Sequence, residues 1–118
     1  MGENDLMNLA GKTFRAVSNS SNGSLNTQTE MHFTNDDGVI VVGNYGGGSI
    51  ATGHVLGRRD DQGQLTLLYQ GATTAGEIQA GQASASFTVD EAKASRMHLE
   101  WRWLTGDGSS GRSEWVEA

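Results

Sequence analysis

The sequence predicts an all-β domain, an antiparallel up-and-down barrel of about eight strands joined in meander order. Three observations carry that prediction. No segment sustains a helical period; apolar and polar residues alternate in pairs; and turn residues break the alternation every ten to fifteen residues, the spacing of short antiparallel strands. An open sheet of this size would leave two unpaired edges, and closing it removes both.

The elements follow in order. After a short acidic lead, "GKTFRAVSNS" sets Phe14, Ala16 and Ser18 on one side and Thr13, Arg15 and Val17 on the other. Asn22-Gly23 is a turn dipeptide, since glycine takes a positive φ without a Cβ clash. "LNTQTEMHFTN" then alternates Leu25, Thr27, Thr29, Met31 and Phe33 against Asn26, Gln28, Glu30, His32 and Thr34. Asp36-Asp37-Gly38 turns the chain into Val39–Tyr45, and Ser49–Arg59 runs extended to the turn Asp60-Asp61-Gln62-Gly63. "QLTLLYQ" groups Leu65, Leu67 and Tyr69. In "EIQAGQASASFTV" the apolar phase slips between Ile78 and Phe87, which predicts a bulge near Ala83. "RMHLEWRWL" places Met97, Leu99, Trp101 and Trp103 opposite Arg96, His98, Glu100 and Arg102, and the loop "TGDGSSG" leads to "RSEWVEA".

The last hairpin permits a register. Pairing Leu104 with Arg112 sets Arg102 against Glu114 and Trp101 against Trp115. A shift by two would oppose Arg102 to Arg112 and Glu100 to Glu114, and facing like charges disfavour it.

Bulk properties narrow the function. The chain has 118 residues, enough for one core, with 17 glycines and no proline. Met1–Leu6 reads as an N-terminal extension and residues 7–118 as a single domain. The net charge is -6, and the 8 basic residues are scattered without a stripe to track a phosphate backbone, which argues against nucleic acid and against an anionic membrane surface. The absence of cysteine removes disulfides and thiolate chemistry. The N-terminus lacks the basic and apolar regions of a signal peptide, and Leu6 stands where a myristoylation signal needs Ser or Thr. A cytoplasmic protein is expected, with the sequons at Asn19 and Asn22 unused.

"GVIVVGNYGGGSIATGHVLGRRDDQG" raises the question of a nucleotide loop, since Gly46-x-Gly48-x-x-Ala51 fits a relaxed dinucleotide pattern. That pattern needs a following helix whose N-terminus supplies aligned N–H groups. Ile50, Thr52 and Val55, with Gly53 and Gly57 between them, predict a strand, so the glycines read as a hairpin tip.

"MNLAGKTFRAVSNSSNG", "NYGGGSIATGHVLG" and "EWRWLTGDGSSGRS" resemble a group of small bacterial proteins often labelled "N-acetylglutamate synthase", which look like members of the calycin superfamily, the shape shared by lipocalins and avidins. The resemblance implies a ligand-holding barrel. The label's activity does not fit the residues: an acetyltransferase of the usual kind resembles an α/β fold with a Gln/Arg-x-x-Gly-x-Gly/Ala loop, and no Gln or Arg here begins such a run. The group also often carries Glu where this chain has Leu99, so any chemistry resting on that carboxylate is missing here.

The candidate ligand-binding residues are Phe33, Tyr45, Tyr69, Trp101 and Trp103, expected inward with Phe14, Leu67, Met97 and Leu99. Indole and phenol rings give apolar walls with polar tips, the mixture small-molecule pockets favour. The competing structural account is that they fill a lean core. His32, His54 and His98 fall on separate strands, so no metal site and no cofactor are expected. The acidic residues Asp36, Asp37, Asp60, Asp61, Asp90, Glu91 and Asp107 cluster in turns, where carboxylates bond the backbone. Nothing supports a catalytic triad at Ser18, Ser20 or Ser21, while Asp107, Ser109 and Ser110 would lie at a barrel mouth. Three functions remain open: a small-molecule binder, a small hydrolase or isomerase using the same cavity, and a homodimeric structural protein that covers the surplus apolar residues of Val39–Val42.

Overall fold

The computed structural model describes residues 8–19, 28–106 and 108–118. Among them eight strands occur and no helix: β1 (Thr13–Asn19), β2 (Glu30–Asp36), β3 (Ile40–Gly47), β4 (Ile50–Arg59), β5 (Leu65–Thr73), β6 (Ile78–Val89), β7 (Ser95–Trp103) and β8 (Ser110–Glu117). Each pairs antiparallel with its neighbour in sequence, and β8 returns to β1 to close the barrel. The expected meander is therefore present. The Asn22-Gly23 turn, Leu25, Thr27, Ser20, Ser21, Asp107, the side chain of Ser18 and the 1–6 extension lie outside the described residues.

The alternation sorts side chains as the pattern requires. Phe14, Ala16, Met31, Phe33, Val41, Tyr45, Val55, Leu65, Leu67, Met97, Leu99, Trp101 and Trp115 are buried inside the barrel. The β3–β4 hairpin answers the glycine question. Gly47 pairs with Ile50, so the turn is Gly48-Ser49: Gly48 (φ +63°) takes the positive φ that such a turn demands at its first position, and Gly47 (φ +106°) ends β3 at the register irregularity beside it. A strand follows, not a helix. Gly47 also passes so close to the residues leading into β2 that a Cβ would stand 2.1 Å from the carbonyl oxygen of Gln28.

Two local expectations are corrected. β6 carries no bulge at Ala83: its pairing with β5 runs unbroken from Leu65–Ala85 to Ala72–Ile78, and with β7 from Gly81–Trp103 to Val89–Ser95. The phase never slips, because Ile78 points out and is 70% exposed while Gly81, Ala83 and Ala85 stay inside. Register irregularities fall instead in β1, β2 and the β3–β4 hairpin, at Ala16/Ser18, Phe33/Asn35, Tyr45/Gly47 and Ile50/Thr52.

The β7–β8 register also differs from the predicted one. Trp101 faces Gly111, Met97 faces Trp115, and Arg102 faces Ser110. Both tryptophans are buried on the inner face, as expected, but each indole sits opposite a smaller or more pliant residue. The charges remain complementary: Glu100 faces Arg112 at 3.7 Å, and Glu114 faces His98 and pairs with Arg96. The rule against facing like charges holds; it selected from too short a set of registers.

One end of the barrel is sealed. The turn before β1 brings Leu9, fully buried, into the same core as Phe14 and Phe33, and Gly11 N–H donates to Phe33 O at 2.8 Å. Beside it Arg59, on the inward phase of β4, forms a two-pronged pair with Asp36, Nη1–Oδ1 2.6 Å and Nη2–Oδ2 2.9 Å. The N–H groups of Leu9 and Gly38 donate to the same carboxylate, so the pair is buried with its remaining lone pairs used.

Candidate functional site

The opposite end, near the β3–β4, β5–β6 and β7–β8 turns, collects four of the five candidate residues. Tyr45 meets Tyr69 edge to face with ring centroids 6.1 Å apart; Tyr69 meets Trp103 at 5.8 Å; Trp103 meets Trp101 at 5.9 Å. The first two contacts are edge-to-face and the third is tilted at 55°, all at separations that aromatic pairs favour. Phe33 lies elsewhere: it packs edge-on against Phe14 at 6.0 Å, and Phe14 touches Phe87, in the sealed half.

The aromatic run exists because glycines on the next strands make room for it. The row across the inner wall reads Tyr45, Gly53, Gly71, Gln79, and the row beside it Val55, Tyr69, Gly81, Trp103. A Cβ on Gly53 would lie 2.4 Å from Tyr45 Cζ, and one on Gly71 2.7 Å from the Tyr45 hydroxyl oxygen. A Cβ on Gly81 would lie 2.6 Å from the Tyr69 hydroxyl oxygen. Each phenol therefore lies across the backbone of the neighbouring strand, the close approach that glycine within a strand permits.

Tyr45 is 7% exposed, while Tyr69 and Trp103 are half-buried. Burial pushes the Tyr45 phenol up to about 12. It raises Tyr69 further, with the neighbouring Tyr45 adding to the effect. Both remain protonated at neutral pH and can donate, and neither hydroxyl has a hydrogen-bond partner among the described residues. Gln79, next in the same row, has its Oε1 buried without a hydrogen-bond partner among the described residues. The wall thus offers four rings, two free phenol donors and one unpaired amide acceptor.

The titratable groups are placed elsewhere. Asp36 sits at the sealed end. Burial alone would raise its carboxyl, but the Arg59 guanidinium and the Leu9 and Gly38 N–H groups outweigh that and hold it below the usual carboxylate range. Asp37, Asp60 and Asp90 bond the backbone of their own turns, as expected of turn carboxylates. His32 Nδ1 is 2.7 Å from Thr13 Oγ1, His98 Nε2 is 2.9 Å from Thr88 Oγ1, and His54 is exposed. Among the described residues no three His, Cys, Asp or Glu side chains gather to hold a metal ion.

Sequence reasoning missed Gly53, Gly71, Gly81, Gln79 and the Asp36–Arg59 pair. The signal was available: extending the two-residue phase of β4, β5 and β6 puts Gly53, Arg59, Gly71, Gln79 and Gly81 on the inner face. An arginine or glutamine on a core phase asks for a partner, and a glycine there asks for a neighbour large enough to cover it.

No curated protein and no solved structure matches the chain. A family described as "Avidin-like protein" matches residues 7–118, which agrees with the closed eight-stranded meander. The chain belongs to the avidin-like family.

Proposed function

We propose that this protein binds a small molecule at the aromatic end of its barrel, against Tyr45, Tyr69, Trp101 and Trp103. The observation that carries the reading is the unbroken run of four aromatic side chains with two unbonded phenol hydroxyls at its polar edge. Apolar walls with a few converging polar groups are what small-ligand sites require. Avidin-like membership agrees with a barrel built to hold a ligand. Binding is favoured over hydrolysis or isomerisation because acid–base work needs a carboxylate or imidazole within reach of the ligand. The buried carboxylate described here, Asp36, is at the other end and committed to Arg59.

A second reading, compatible with the first, concerns the outside. Val42, Leu56 and Leu68 face one another across β3, β4 and β5, and Leu56 and Leu68 are each more than half exposed. With His54, Gln70 and Leu104 they line a groove of about 450 Å³. A flat apolar row on the outer face of a sheet suits a self-complementary contact between two copies.

Native mass spectrometry of protein purified from its own host tests both readings. The expected spectrum shows a dimer with added mass, released on denaturation as a small molecule. An unliganded species after gentle purification counts against the binding cup, and a strictly monomeric one counts against the outer-face contact.

A further inference from the structure

We propose that Gln79 is the specificity-determining residue of the aromatic end, selecting an uncharged ring compound that presents an N–H or O–H donor to its side-chain oxygen. This inference rests on the reading of that end as a binding cup. Gln79 pairs with Gly71 of β5, the glycine over which the Tyr45 hydroxyl lies, and it shares the inward phase of β6 with Gly81, Ala83 and Ala85. Its Oε1 is shut away from solvent and accepts no hydrogen bond from the described residues. A buried acceptor without a donor is rare and costly in a folded protein, and it calls for a reason. On the same wall the two phenols have donors to spare and no acceptor, so the wall holds complementary polar groups that do not satisfy one another. A ligand that gives one hydrogen to Gln79 and takes one from a phenol completes the set, with its body against the half-buried rings of Tyr69 and Trp103. The charged pair that is buried, Arg59 with Asp36, is at the sealed end, so among the described residues nothing on this wall would neutralise an ionic ligand.

Indole and benzofuran supply the test, because they share a shape and differ in one N–H donor. Their affinities are measured by saturation-transfer NMR on the wild-type chain and on Gln79→Met, whose side chain has the same length and no amide. Thermal unfolding of both proteins is followed without probe. The wild-type chain is expected to hold indole about five- to fifty-fold more tightly than benzofuran. In Gln79→Met the preference disappears, and the unliganded variant melts about 3–8 °C higher, because an unpaired buried acceptor has been removed. Equal affinities in the wild-type chain, a preference that survives in Gln79→Met, or a lower melting temperature for that variant overturns the role of Gln79 and leaves the cup standing. Failure of both probes to bind overturns the cup and this inference together.

Discussion

Tyr45 shows how single residues shape this molecule. Its ring spans the backbone of two strands, and its hydroxyl is held where burial disfavours ionisation. The chain contains only two tyrosines, and both are raised, so the phenolate absorbance of the folded protein reports on these two rings alone. Unfolded tyrosine ionises near 10, and the folded Tyr45 near 12. The unfolded chain therefore releases its protons first. The stability the two phenols contribute is complete below pH 10 and is lost as the pH climbs through their folded values. An alkaline titration should show phenolate appearing late and together with unfolding; phenolate appearing near pH 10 in folded protein would contradict their burial. Gly53→Ala tests the same packing from beneath, because the new methyl has no room under the Tyr45 ring, and overpacking of this kind costs about 1–3 kcal/mol in denaturant titration. At the sealed end the sign is reversed. The Asp36 carboxyl is held below 3.8, so its contribution is present above that pH and fades as the pH falls further. Arg59→Met strands the buried carboxylate and should cost about 3–5 kcal/mol, whereas adding Asp36→Leu to that variant should recover part of the loss.

At the scale of the strand, the inward phase of β2, β5 and β7 was legible in the sequence from the spacing of their apolar residues, whereas β3 opens on the consecutive apolar residues Ile40, Val41 and Val42 and shows no such alternation. β6 was harder. Its inward positions are Gly81, Ala83 and Ala85, small residues that carry little hydrophobic signal, and the exposed Ile78 gave a false one. The small residues are there to admit the Tyr69 phenol and the indoles of β7, so the strand's pattern makes sense only beside its neighbours. Register was less legible still, for charge complementarity is satisfied by several offsets. What settles β7–β8 is steric: Trp101 opposite Gly111 and Trp115 opposite Met97 keep two indoles from meeting across one strand gap. Cross-strand nuclear Overhauser effects should accordingly link the α-protons of Trp115 to Met97, and none should link Trp115 to Trp101. Breaking the exposed Glu100–Arg112 pair should change stability by no more than about 1 kcal/mol, while Trp115→Ala should cost about 3–5 kcal/mol.

The whole molecule has two unlike ends joined by one wall. Leu9 and the Asp36–Arg59 pair close the first, and rings lying on glycine line the second. The four aromatic site residues were visible from their phase and type, but the meeting of Tyr45, Tyr69, Trp103 and Trp101 depends on strand pairing that no local pattern encodes. Phe33, of the same type and phase, falls in the sealed half because β2 delivers it there two residues beyond Met31. The most direct test uses the three indole N–H resonances of the chain. Trp101 and Trp103 stand at the aromatic end, and Trp115, fully buried with its Nε1–H donated to Ser113 Oγ at 2.9 Å, reports on the interior away from the proposed site. Adding back the small molecule released from host-purified protein should shift the Trp101 and Trp103 signals and leave Trp115 in place. Shifts confined to Trp115 or to the outer row of Val42, Leu56 and Leu68 would contradict the account.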